Sequence, residues 1–302
     1  MKLLVLSEHD VTELLAMAEC IAVMEEALAA LARGEVHNPL RQAIRAPGAP
    51  GLLGLMPAWW SGAIPYYGLK EVCVFPENPK RGLDTHLGAV ILHSGETGEP
   101  LAILNASAIT AIRTAAVSAV ATKLLAREDA AVLAIIGTGV QGQSHRRAIP
   151  LVRNIREIRM CGRGESVEEA VRGADIVVTA TSSREPILKR EWLSPGVHIN
   201  AVGSSIASAR ELEADLVASA SLFVDRREST MNESGDYLGA VDSGATIRAE
   251  LGEVLTGSAQ GRKSAEEITL FKSLGLAIED LAAAAFLYDK ARREGRGNWV
   301  EF

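Results

Sequence analysis

The segment Ala131–His145, AVLAIIGTGVQGQSH, constrains the fold more than any other part of the chain. A β-prone apolar run passes directly into Gly137, Gly139 and Gly142 at the spacing G-x-G-x-x-G, and the residues that follow suit a helix. In such a turn Gly137 permits the tight reversal, Gly139 lets the backbone come close to phosphates, and Gly142 allows close helix–strand packing. The turn residues Thr138, Val140 and Gln141 then join the glycines around a pyrophosphate that faces the positive end of the helix dipole. Three glycines alone are a weak signal and fit an ordinary βα turn. The strand before them and the helix after them make a dinucleotide site the stronger reading.

This segment sits in mid-chain. A chain of 302 residues more often divides than folds as one unit. We therefore expect an α/β protein: a central Rossmann-type parallel-sheet domain over residues 116–275 and a discontinuous α+β substrate and dimerisation domain. The latter would comprise residues 1–115, completed by a C-terminal helix in 276–302, with a substrate cleft between the two domains. Short strands are expected at Leu3–Leu6, Leu52–Met56, Tyr67–Phe75 and Leu87–His93. Between the first two, a helical region runs to about Arg33 and is interrupted near Ala16–Glu19. Thr110–Leu125 reads as an alanine-rich helix. Further strands are expected at Glu157–Met160, Asp175–Thr179, Val197–Val202 and Leu222–Asp225, and helices at Gln141–Leu151, from Ser264 to Leu274 and over Ile278–Arg293.

Charge and composition narrow the partners. The 38 acidic and 31 basic residues give a net charge of −7, with no basic block interleaved with aromatics, so nucleic acid is not expected as a partner. There is no unbroken run of about twenty apolar residues and no basic-then-apolar amino terminus, so no membrane association is expected and a cytoplasmic protein fits. Cys20, Cys73 and Cys161 are widely spaced and read as reduced thiols, and neither they nor the six histidines have metal-ligand spacing. No metal is expected.

One stretch departs from an ordinary nucleotide domain. Only Gly162 to Ser166 separate Cys161 from the helix-like Val167–Val171, too little for a crossover helix and another strand. Either the domain is contracted or residues are missing from this place. The same stretch bears on the cofactor. An acid near the end of the second strand favours NAD, whereas here Met160, Cys161 and Gly162 lead to Arg163 and Gly164, and a guanidinium suits a 2′-phosphate. The expectation is therefore NADP(H), with NAD(H) as the alternative. Thr179, Ala180, Thr181 and Ser182 follow one strand, and Val202, Gly203 and Ser204 follow another, where small and hydroxylated residues can line a shared cofactor crevice.

Outside the nucleotide segment, Arg41 in NPLRQAI, Lys70 in YYGLKEVCVF and Arg113 in AITAIRTAA are cations in apolar or small-residue settings. Spacing alone leaves solvated salt bridges as their plainest reading. These segments, together with GLLGLMPAW, GETGEPLAIL, ADIVVTATSSREP and GEVLTGSAQGRKSAEEITLFKSLG, resemble the ornithine cyclodeaminase/μ-crystallin family over nearly the whole chain. The resemblance is read as closer to the ketimine-reductase-like members. It implies a homodimer and nicotinamide chemistry on a small imino or amino acid. By resemblance, Arg41 and Arg113 would hold the substrate carboxylate, Lys70 would bind the substrate at its imine or carboxylate and be the catalytic group, and Thr114 would neighbour the cofactor phosphates. Lys272 in LFKSLG is read as structural or pocket-lining.

The family's cyclodeaminases and related alanine dehydrogenases carry an acid shortly after the glycine in the region of INAVGSSIASARELEADL, and anchoring on Arg210–Glu211–Leu212 puts Ser205 there. A serine hydroxyl is a poor substitute for a carboxylate base. The expected chemistry is therefore reduction of a ketimine or α-imino carboxylate, such as pyrroline-2-carboxylate or piperideine-2-carboxylate, to an amino acid, with the reverse oxidation also open. Cyclodeamination of ornithine or lysine with recycled NAD is the enzymatic alternative. A non-catalytic nucleotide- or ligand-binding role is the third.

Overall fold

The computed structural model describes residues 2–302, which divide into two units: residues 2–113 with Leu276–Phe302, and Thr114–Gly275. In the first unit β1 (Lys2–Leu6) leads through the Ser7–Asp10 capping box into α1 (Glu8–Leu14) and then α2 (Met17–Ala32), with the break falling at Leu15–Ala16. The strands β2 (Val36–His37), β3 (Gln42–Ile44), β4 (Leu52–Trp60), β5 (Tyr66–Val74), β6 (His86–Ser94) and β7 (Pro100–Asn105) follow. Strands β4 to β7 form an antiparallel meander, and β1 pairs parallel to β7.

The period of two along these strands decides which side chains go inside. Met56, Lys70, Val90 and Leu104 stand opposite one another in one lateral row, and all four are buried. The adjacent row of Leu55, Glu71, Ala89 and Asn105 is only partly covered.

Helix α3 (Ala106–Leu125) carries the chain from the first unit into the second. Of the described residues, it is the one helix long and apolar enough to cross a membrane, but 72% of that window is buried inside the protein, so it is a core helix. The second unit holds β8 (Val132–Ile136), α4 (Val140–Ala148), β9 (Glu157–Cys161), α5 (Val167–Val171), β10 (Ile176–Thr179) and β11 (His198–Ala201). It continues with α6 (Ala214–Ser219), β12 (Ser221–Val224), α7 (Arg227–Glu233), α8 (Gly235–Leu238), β13 (Ile247–Glu250), α9 (Leu251–Leu255) and β14 (Thr269–Lys272). Its seven strands are all parallel, in the order β13-β12-β14-β11-β10-β8-β9. This is the expected Rossmann-type sheet.

The chain then returns to the first unit as α10 (Ala277–Glu294) and β15 (Asn298–Glu301). β15 pairs with β1 and completes an eight-stranded mixed sheet, while α10 packs on β4, β5, β6 and α2.

One expectation needs correction. The stretch from Ser264 to Leu274, read as helical, contains β14 in the middle of the parallel sheet, between β11 and β12. All four β14 residues are buried, so no alternation betrays the strand, and a short apolar run does not reveal its own period. Strands β2, β3, β7, β13 and β15 were not expected either: β7 reads PLAILN, apolar almost throughout, and the others are two to four residues long and mix polar with apolar. In the second unit β9 is the sheet edge, and the turn Gly162–Ser166 leads directly into α5.

Candidate active site

The first unit gathers four ionisable side chains in its interior. Lys70 lies on the covered face of β5, with Nζ 2.6 Å from Thr110 Oγ1 and 3.1 Å from Asp280 Oδ1. Arg113 donates from Nε to the same Asp280 Oδ1 at 3.1 Å and from Nη1 to Glu279 Oε2 at 2.6 Å. Lys70 and Arg113 are each 4% exposed and Asp280 1%, so these charges face little solvent. The two cations and two carboxylates balance, as buried charges must.

Three elements set this cluster. Gly68, two residues before Lys70 and on the same face, lets α10 settle on the sheet: a Cβ there would lie 2.7 Å from Leu281 Cδ1. The start of α10 is held by Asn38, whose Oδ1 accepts from Ile278 N at 2.9 Å. The first turns of α3 supply Thr110 and Arg113. Burial pushes Lys70 down to about 8, opposed by the Asp280 carboxylate and reinforced by the Arg113 charge. His86, at the start of β6, is also lowered, first by burial and then by Lys70.

Lys70 and Arg113 therefore come together on one carboxylate. Arg41 is half-buried and immediately precedes Gln42, which pairs with Leu55. Thr110, Glu279 and Asp280 were not singled out from the sequence. The signal for the two acids was AIEDLAAAAF: adjacent acids in a helix that is apolar nearly all round must find buried cations.

In the second unit the glycine turn lies at the carboxyl end of β8. Gly137 has φ +117°, and a Cβ on it would run into the Ala180 carbonyl. A Cβ on Gly142 would meet the Gly137 carbonyl, whereas Gly139 has nothing within 4 Å. Thr138, Gly139 and Val140 are exposed and Gln141 is half-buried, so the rim of the turn is open to a ligand. Thr114 is buried in α3 directly after Arg113. His145 is buried between Gln141 O and Ser118 Oγ, and desolvation holds it near 4, so it stays neutral.

The loops after β10 and β11 are tied together by a residue that the sequence reading used only as an anchor. Glu211 accepts from Thr179 Oγ1 (2.8 Å), Thr181 N and Oγ1 (both 2.7 Å) and Gly203 N (2.8 Å). Asp236 Oδ1 in turn accepts from the Glu211 and Leu212 amides, and Asp236 Oδ2 lies 2.9 Å from Lys272 Nζ. Burial raises Glu211, with Lys272 and its donors pulling the other way. Lys272 is thus a buried ion-pair partner. Thr179, Thr181 and Gly203 converge on Glu211, Ala180 abuts Gly137, Ser204 hydrogen-bonds to Ala209 O, Val202 is half-buried, and Ser182 is exposed. Ser205 is half-buried in the loop after Gly203, and the nearby carboxylate of Glu211 is occupied by its four donors.

Arg163 is exposed in the turn after β9. That turn also brings Glu165 back to the strand end, where its Oε2 accepts from Gly162 N at 2.5 Å. The guanidinium that suggested NADP(H) therefore shares its place with a carboxylate.

Known proteins extend these observations. The model of the ornithine cyclodeaminase/mu-crystallin family matches residues 1–166 and 163–295, its two pieces meeting in the turn after β9. The chain is 41% identical over 290 residues to mouse ketimine reductase mu-crystallin, covering 89% of this chain and 91% of the relative. It is 38% identical over 327 residues to a delta(1)-pyrroline-2-carboxylate reductase of Bacillus cereus, covering 99% and 100%. That alignment is longer than the 302-residue chain, in keeping with the short connection after β9.

Among solved structures, the Thermococcus litoralis delta(1)-pyrroline-2-carboxylate reductase in complex with NADH and L-proline superposes with a TM-score of 0.92 at 38% identity, covering 98% of this chain and 99% of that one. An archaeal alanine dehydrogenase dimer with bound NAD gives 0.93 at 35% identity over the whole of both chains. These findings correct two expectations. The relatives matched from end to end include pyrroline-2-carboxylate reductases, while the ketimine reductase match is shorter, so the placement nearer ketimine reductases does not stand. The bound cofactors are NADH and NAD, so NAD(H) replaces NADP(H) as the favoured cofactor. Arg163 misled because a guanidinium is read as a phosphate ligand only where no acid shares its place. With the fold, the glycine turn and the family match all in agreement, this chain belongs to the ornithine cyclodeaminase/mu-crystallin family.

Proposed function

We propose that this protein catalyses the NADH-dependent reduction of Δ1-pyrroline-2-carboxylate, or a closely related α-imino carboxylate, to the corresponding amino acid. The observation that carries the reading is the buried convergence of Lys70 and Arg113 on Asp280. A carboxylate already bridges these two cations, so they stand at a spacing that suits carboxylate oxygens, and with Asp280 and Glu279 balancing them the substrate's own charge is met by Arg41. Arg113 and Arg41 hold the substrate carboxylate, for which planar guanidinium donors are suited. Lys70 holds a proton at Nζ for the imine nitrogen, and its lowered pKa suits proton exchange near neutral pH.

Bound NADH supplies the hydride that reduces the imine carbon. Gly137, Gly139 and Gly142 shape the turn for the pyrophosphate, while Thr138, Val140, Gln141 and Thr114 border it. The strand-end loops Thr179–Ser182 and Val202–Ser204 line the rest of the cofactor path. The lone pair released from the C=N bond takes the Lys70 proton, and solvent restores it.

The working form is a homodimer. The outward row of the mixed sheet, with Pro57, Leu69, Ile91 and Ile103, is apolar and only partly covered, while α10 packs on the other face. A sheet face of this kind fits a second copy, and light scattering is expected to give twice the 32.1 kDa chain mass. The cytoplasm suits the three free cysteines.

Purified protein is expected to consume NADH when given Δ1-pyrroline-2-carboxylate and to form proline. Failure with every cyclic and linear α-imino carboxylate in a panel would overturn the proposal. Ammonia and proline formed from ornithine without added reductant would favour cyclodeamination instead.

A further inference from the structure

The short turn after β9 offers more than an explanation for a missing helix. Register places Cys161 opposite Ile136, and Cys161 O accepts from Gly137 N at 2.9 Å, so the end of β9 is stitched to the glycine turn. Gly162 comes next. A Cβ built there would lie 3.4 Å from Glu165 Oε2 and 3.5 Å from Thr138 Cγ2, so the Glu165 carboxylate and the rim of the glycine turn flank one small space.

We propose that Glu165 is the acceptor for the adenosine ribose hydroxyls of NAD(H) and the residue that excludes a 2′-phosphate. This rests on the reading of the glycine turn as the dinucleotide site. Oε2 is committed to Gly162 N, which fixes the side chain, and a carboxylate has lone pairs on both oxygens, so Oε1 can accept from a vicinal diol. A phosphate monoester in the same place would bring a second anion against the carboxylate and be repelled. The acid reaches the site from the far side of the turn rather than from the strand itself. A reading confined to Met160–Gly164 therefore stops one residue short of it and finds only Arg163.

The test is direct titration of the purified protein with NADH and with NADPH, by fluorescence or calorimetry, without turnover. The native protein is expected to bind NADH more tightly. Glu165→Gln keeps an oxygen for Gly162 N but loses the charge. It is expected to weaken NADH about tenfold and to strengthen NADPH by a similar factor, the scale of a hydrogen bond to a charged group. Glu165→Lys reverses the charge and is expected to make NADPH the preferred ligand, while Arg163→Ala leaves NADH within about twofold. A native protein that prefers NADPH overturns the proposal, as does an NADH/NADPH ratio unchanged in both Glu165 variants, or a loss of NADH binding in Arg163→Ala that matches the loss in Glu165→Gln. Because binding alone is read, a protein that shows this preference but reduces no imino acid would sink the proposed reaction and leave this assignment standing.

Discussion

Each unit of the protein buries a cluster of charges, and the two clusters are built differently. In the parallel-sheet unit, the Glu211 carboxylate is saturated by four donors, and Asp236 joins two backbone amides to Lys272. In the mixed-sheet unit, two cations share a single oxygen of Asp280, and the other oxygen, buried Oδ2, has no hydrogen bond. Burial is nearly the same in both. What differs is how completely the central carboxylate is satisfied: Glu211 accepts hydrogen bonds on both oxygens and Asp280 on one. A saturated carboxylate fixes loop geometry, whereas one with an oxygen left over holds the cations around it less completely. The contrast teaches that burial and charge alone do not mark a reactive group.

The largest expected effect separates the clusters by activity. Lys70→Met should lower kcat/KM for imine reduction about a thousandfold, within the range for losing a general acid, and leave the NADH dissociation constant within about twofold. If kcat/KM survives within about tenfold, the mixed-sheet cluster is as structural as the other and the contrast collapses.

The parallel-sheet cluster is tested by stability. Glu211→Ala leaves four donors without their acceptor and is expected to cost about 3 kcal/mol in urea unfolding, with weaker NADH binding as the strand-end loops separate. A loss below about 1 kcal/mol means that the clamp does not hold those loops.

The pH dependence of turnover sharpens the role of Asp280. Lys70, pushed down to about 8, is protonated below that pH and neutral above it. Reduction, which needs its proton, should be level at lower pH and fall as pH rises through about 8. The oxidative direction should rise through the same range. The charges facing Lys70 are Asp280 and Glu279 from α10, Arg113 from α3 and, when protonated, His86 from β6. Asp280→Asn removes the strongest opposing anion, so the falling limb should move towards acid by about one pH unit. An unmoved limb assigns the titration to another group.

Gly68→Ala should have the smallest effect, about 1 kcal/mol, because the new methyl displaces Leu281. Its value lies in the KM for the imino acid, which should rise as α10 shifts Asp280 away from Lys70. An unchanged KM shows that the cluster tolerates that shift.

Local chemistry explains how much of the site was legible. The glycine turn announces itself because three spaced glycines between a strand and a helix answer backbone demands that other residues meet poorly. Arg41, Lys70 and Arg113 were visible as cations in apolar or small-residue settings, and the family resemblance gave them roles. Their partners Glu279 and Asp280 lie more than 160 residues from Arg113 in sequence, and no local pattern reports such a pairing. Ser264–Leu274 misled for a related reason. A strand buried on both faces loses the alternation that marks strands at all.

By itself, then, the sequence determined the two-unit α/β plan, the nucleotide turn and the three cations, since each follows from short-range backbone and solvation requirements. The tertiary structure alone decided that Lys70 and Arg113 share Asp280, that Glu211 is saturated, and that Glu165 turns back beside Gly162. Those facts depend on side chains brought together by α10, by the strand-end loops and by a shortened turn, and contacts of that kind are set by packing in three dimensions.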